Sequence, residues 1–159
     1  MKTLLIYYSY EGATALMADA ITDEINSDKR RLYVIDEKRK IGFKKMLWGG
    51  LQVFRKQEPE ISPLNIDIRD YDLIIIGTPV WAGSYVPAIR SFLANSDFTG
   101  LNVAYFYTHL GGSGNIERHF DDAFAKANVV GKLGLSKVRN DIEDAKLKAC
   151  EWAKNLTID

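Results

Sequence analysis

Five short apolar runs alternate with stretches of helical periodicity, and that alternation constrains this chain more than any other feature. The runs are Leu4–Tyr8, Leu32–Ile35, Leu73–Ile76, Val103–Tyr107 and, more weakly, Val129–Leu135. They are continuous rather than alternating, the pattern of strands buried on both faces of a parallel sheet. Between them, Ala15–Ile25 repeats apolar residues at helical spacing, and Ile89–Leu93 continues from Pro87, a residue suited to a first helical turn. Ile116, Phe120, Ala123 and Phe124 share one face, as do Ile142, Ala145, Ala149, Ala153 and Leu156. The order predicts an α/β class: a doubly wound, five-stranded parallel sheet with helices on both faces. At 159 residues the chain fits a single domain over 1–159.

One connection is longer than this scheme needs. Thirty-four residues, Glu37–Asp70, lie between the second and third runs. Phe43, Leu47, Leu51 and Phe54 predict a helix there, bent at Gly49-Gly50, followed by an irregular return through Pro59 and Pro63. The connection is also where charge collects. Residues 29–56 hold ten Lys or Arg against Asp36 and Glu37, in a chain with net charge zero. The groups Lys38-Arg39-Lys40, Lys44-Lys45 and Arg55-Lys56 admit three readings: a solvated helix face, a docking surface for an acidic redox partner, or a membrane-surface contact.

The overall charge balance gives no indication of nucleic-acid binding. A lone cysteine, Cys150, excludes an internal disulfide and a cysteine-based zinc site, and two histidines, His109 and His119, argue against a histidine-rich metal centre. No apolar run approaches the length of a signal peptide or of a membrane span, so a cytoplasmic protein is expected.

In an open parallel sheet, ligands bind beyond the carboxyl ends of the strands. Three loops fall there. The first, Ser9-Tyr10-Glu11-Gly12-Ala13-Thr14, has two hydroxyls and a glycine leading into a helix, a cradle for an anion, although the same residues also serve a plain capped helix. It lacks lysine, and no GxxxxGK[ST] run occurs elsewhere, so a phosphate held by neutral donors points to a bound cofactor rather than phosphoryl transfer. The second, Thr78-Pro79-Val80-Trp81-Ala82-Gly83, presents an indole among small residues, suited to stacking on a heterocycle or to covering the sheet end. The third, Thr108-His109-Leu110-Gly111-Gly112-Ser113-Gly114, is glycine-dense, which permits close backbone approach to a ligand or a mobile surface loop. His109 reads as an exposed loop imidazole and His119 as a structural or solvated helix residue.

Taken together, YYSYEGAT at 7–14, LIIIGTPVWAG at 73–83 and YTHLGGSGN at 107–115 resemble the flavodoxin family over nearly the whole chain. The resemblance implies strand order 2-1-3-4-5 with flavin mononucleotide (FMN) at the switch point. It implies the FMN phosphate on Ser9–Thr14 and the isoalloxazine ring between Thr78–Gly83 and Thr108–Gly112, with Trp81 as stacking partner. It also implies an Ala82–Gly83 peptide that can rotate toward the reduced ring. Two departures stand out. Glu11 occupies a position where the family usually has Thr, and Leu110 with its glycines replaces the usual aromatic of the third loop.

The function so implied is an FMN-binding electron carrier serving reductases or oxidases, without metal, as a monomer or weak dimer. An FMN-dependent NAD(P)H or quinone reductase on the same fold is the first alternative, with His109 and the open third loop serving substrate. A non-catalytic flavin-binding regulatory module is the second. Cys150, near Lys146 and Lys154, is expected to be partly buried and without redox function.

Overall fold

The alternating pattern of burial sorts the strands' side chains to two faces. On β1 (Thr3–Tyr7), Leu4 and Ile6 face one way and Leu5 and Tyr7 the other, as a period of two requires. The computed structural model describes residues 1–35 and 58–158. The helix expected over 43–54, its Gly49-Gly50 bend and the basic groups at 38–40, 44–45 and 55–56 lie outside the described residues.

The remaining elements follow in order: α1 (Ala13–Ile25), β2 (Asp28–Arg31), β3 (Leu73–Trp81), β4 (Ser84–Tyr85), α2 (Pro87–Ala94), β5 (Asn102–His109), α3 (Ile116–Ala123), β6 (Asn128–Ser136) and α4 (Ile142–Lys154). The sheet runs β2-β1-β3-β5-β6, with all four of these pairings parallel. The two-residue β4 folds back antiparallel on β3. Setting that short hairpin arm aside, the five parallel strands have the expected 2-1-3-4-5 order.

Each face has its own core. Leu4, Ile6, Ile74, Ile76, Val103 and Tyr105 pack with Ile89 and Phe92 of α2 and with Ile116 and Phe120 of α3. On the opposite face Leu5, Ile75, Ala104 and Phe106 meet Met17, Ala18 and Ile21 of α1 and Ala145, Ala149 and Ala153 of α4. Local signals start the helices. Pro87 opens α2, where its missing N–H costs nothing. The Asp141 side chain caps α4 by accepting from the Asp144 amide at 3.0 Å.

The second strand departs from expectation. It is the polar segment Asp28–Arg31, not Leu32–Ile35. As the edge strand among the described residues it needs no apolar run, because within them it is paired on one side and its side chains alternate between exposed and half-buried. The apolar run does different work. Leu32 is buried, and Val34 bridges Ile61 antiparallel, with the Ile35 amide on the Glu60 carbonyl and the Ser62 amide on the Tyr33 carbonyl, both at 2.9 Å. That pairing anchors the irregular return, which then passes through a 3-10 turn at Ile68–Asp70 into β3.

Candidate functional site

The chain leaves β1 at Tyr7 and reaches α1 through Ser9–Gly12. Ser9 is buried, and its Oγ accepts the amides of Gly12 and Ala15, each at 3.2 Å. A hydroxyl whose two lone pairs are both taken still has its own proton to donate. Gly12 caps α1 at φ +99°, a conformation closed to most L residues, and this turn points the chain into the helix. Thr14 is buried one residue inside α1, and its Oγ1 lies 2.9 Å from Oγ1 of Thr108, tying the first loop to the end of β5. Tyr10, Gly12 and Ala13 are half-buried and the Glu11 side chain is exposed.

Two guanidinium groups reach this loop through its carbonyls. Arg31, at the end of β2, donates to the Ser9 carbonyl at 2.7 Å. Arg139, from the 3-10 turn Val138–Asn140 after β6, donates to the Glu11 carbonyl. The loop has no cationic side chain of its own, and these two guanidinium groups come from 22 and 128 residues away.

The second stretch is largely strand rather than loop. Thr78, Pro79, Val80 and Trp81 all belong to β3, because Thr78 and Pro79 still pair with Tyr107 and Thr108, and Val80 and Trp81 pair back onto β4. Only Ala82 and Gly83 form the turn, at φ +47° and +72°. Two positive φ values in a two-residue hairpin fit the twist of the strands. Thr78 is fully buried, its hydroxyl donating to the Pro79 carbonyl at 2.9 Å. Trp81 does have neighbours: its ring stands edge-on to Tyr8 and Tyr10, with centroids 6.1 and 5.6 Å away. Tyr8, which the sequence reading leaves in the first strand, thus helps form an aromatic wall between the first two stretches.

The third stretch begins inside β5, whose last residue is His109 rather than a loop residue. His109 is half-buried, and its Nδ1 is buried with no hydrogen-bond partner. Leu110 projects into solvent, and a Cβ added at Gly111 or Gly112 would meet nothing within 4 Å. Further on the chain closes against the second stretch. The Asn115 amide donates to the Gly83 carbonyl at 2.9 Å, and a Cβ at Gly114 would lie 2.3 Å from the Gly83 Cα. Of the two readings for His119 the structural one holds: the residue is half-buried and its Nδ1 is 2.8 Å from Oγ of the buried Ser84. That bond, which fixes the hairpin to α3, has no local sequence signal.

One more hydroxyl supports this edge. Tyr107 donates to Glu117 Oε1 at 2.6 Å, and burial, with this bond second, pushes its phenol up to about 12. Cys150 lies apart from the three stretches, its thiol donating to the Ala20 carbonyl at 3.6 Å. Burial raises its pKa, with Glu24 adding to the rise, while Lys154 pairs with Glu24 at 2.9 Å. An activated thiolate is not what this setting produces.

An open parallel sheet in this order, with three stretches cross-tied beyond the carboxyl ends of β1, β3 and β5, defines the flavodoxin-like class of α/β proteins. A family model described as Flavodoxin matches residues 2–155, and the chain belongs to that family. A flavoprotein from Lactobacillus acidophilus NCFM, solved in complex with FMN, is 30% identical with a TM-score of 0.75, covering 96% of this chain and 98% of that one. A candidate flavoprotein from Bacteroides eggerthii is similar in fold at 22% identity and TM-score 0.79, covering 99% of both chains. The flavodoxin of Megasphaera elsdenii shares the fold at 16% identity and TM-score 0.57, covering 96% of this chain and 98% of that one. A comparison with curated protein sequences gives no match. Among the described residues no helix is long and apolar enough to cross a membrane.

Proposed function

We propose that this chain binds FMN across its three cross-tied stretches and carries electrons between redox partner proteins. The observation that carries the reading is the closed set of ties. Thr14 meets Thr108, Gly83 meets Asn115, and Trp81 meets Tyr8 and Tyr10, so three segments distant in sequence form one continuous rim.

The donor chemistry fits the cofactor. Ser9 and the amides of Tyr10, Glu11, Ala13 and Thr14 would hold the phosphate, with Gly12 allowing the backbone to approach it closely. The Ala82–Gly83 turn and the Thr108–Gly112 stretch would flank the ring, and the Trp81 indole would pack against it. FMN, when bound, supplies reversible electron transfer at its ring. The protein's task is to hold it, shield it and set its electrostatics. Membership of the flavodoxin family and the FMN complex of the Lactobacillus acidophilus relative support this choice of cofactor.

A second reading, an FMN-dependent NAD(P)H or quinone reductase, is favoured by one observation. The His109 imidazole has an unpartnered buried Nδ1 beside the exposed Leu110 and two glycines with open space around them. That corner could admit a small substrate. Visible spectra through stepwise anaerobic reduction of the FMN-loaded protein separate the readings. Two resolved one-electron steps, with little NADPH oxidation in the presence of a quinone, are expected for a carrier. A single two-electron step with steady-state turnover would overturn carriage in favour of the reductase.

A further inference from the structure

Arg139 is the one arginine of the turn after β6, yet it ends on the loop after β1. Its Nη2 donates to the Glu11 carbonyl and lies 3.4 Å from where a Gly12 Cβ would stand. Gly12 takes the positive φ, and the guanidinium lies within ordinary contact distance of it at the loop's rim. The base of the arginine is fixed. Val138 is buried, Lys137 sits at φ +49° with its amide on the His109 carbonyl at 2.7 Å, and the Asn140 amide closes the turn on the Lys137 carbonyl at 2.8 Å.

We propose that Arg139 is the residue that makes this site select a phosphorylated flavin over an unphosphorylated one. The proposal rests on the FMN reading above. A loop of amides and hydroxyls binds phosphate through dipoles alone, and Glu11 opposes a dianion on that same loop. A guanidinium presents five N–H donors in a rigid fork. One nitrogen is committed to the Glu11 carbonyl, which holds the fork at the rim, and the rest can meet an anion as charge-assisted bonds. Because Arg139 is exposed, its charge is retained without a burial penalty, and its effect is screened by salt. Riboflavin has the same ring and no phosphate, so it does not sense this charge.

The test is equilibrium fluorescence titration of apoprotein with FMN and, separately, riboflavin, at low and high salt. Wild type is compared with Arg139→Ala and Arg139→Gln. The glutamine keeps a donor for the Glu11 carbonyl but removes the charge. Both variants are expected to weaken FMN about tenfold at low salt, to leave riboflavin within about twofold, and to lower the salt dependence, Arg31 on the Ser9 carbonyl retaining the remainder. Equal weakening of both flavins, or FMN affinity unchanged in either variant, would overturn the assignment and leave Arg139 as a loop brace. Failure of wild type to bind FMN at all would remove the flavin reading and this assignment with it, and the wild-type curve alone reports that.

Discussion

Gly83 and Gly114 meet backbone to backbone: a Cβ on Gly114 would stand 2.3 Å from the Gly83 Cα, and 3.0 Å from its carbonyl oxygen. Two segments on opposite sides of the proposed ring site are thus locked at a distance that only glycine permits. Gly114→Ala must push them apart and also hold alanine at φ +59°. The expected cost is about 2 kcal/mol in urea unfolding, with weaker FMN binding. Gly112→Ala, where a Cβ meets nothing, is the control and should stay within about 0.5 kcal/mol of wild type. Equal stability of the two variants would contradict the lock.

Gly83 is also half of the turn whose peptide the family resemblance marks as mobile. Its carbonyl is held by Asn115 at 2.9 Å, so any rearrangement is confined to the Ala82–Gly83 peptide between two positive φ residues. Gly83→Ala is expected to narrow the separation between the two one-electron potentials of bound FMN. A potentiometric titration giving unchanged potentials would remove this role from the turn.

Glu11 places a carboxylate on the loop assigned to phosphate. Its side chain is exposed, so its repulsion is partly screened, and about 1 kcal/mol is the scale to expect. Glu11→Thr should therefore tighten FMN binding severalfold, most clearly at low salt. Equal or weaker affinity by flavin fluorescence would show that the carboxylate supports the loop instead.

Tyr107 links stability to pH at the alkaline end. Burial and the bond to Glu117 raise its phenol to about 12 from the ordinary value near 10. The folded state therefore favours the protonated phenol. That stabilisation is complete below about pH 10 and is lost as pH rises toward 12. Tyr105 is raised as well, by burial first and the acidic Asp121 and Glu117 next. Urea midpoints measured from pH 9 upward should fall in wild type and fall less steeply in Tyr107→Phe. Parallel curves would contradict the coupling.

Much of the fold was legible because buried parallel strands must be apolar on both faces. Leu73–Ile76 and Val103–Tyr107 have no other use, and Pro87 marks the start of its helix directly. The edge strand was not legible for the complementary reason. Among the described residues Asp28–Arg31 is paired on one side only, so nothing there demands hydrophobicity of it, and the apolar Leu32–Ile35 beside it went to an antiparallel bridge. Within the site, the loop residues announced themselves through glycines and hydroxyls. The ties between loops did not. Arg139 on Glu11, His119 on Ser84 and Thr14 on Thr108 join residues 128, 35 and 94 positions apart, a kind of proximity that no local spacing encodes.

If the three tied stretches form a flavin site, the purified apoprotein binds FMN there, and fluorescence titration of FMN with the apoprotein reads that binding directly. Saturable quenching is predicted for wild type, together with weaker binding by Trp81→Ala and by Ser9→Ala, which removes the acceptor for the Gly12 and Ala15 amides. FMN fluorescence unchanged across the titration, or binding indifferent to both substitutions, would contradict the account.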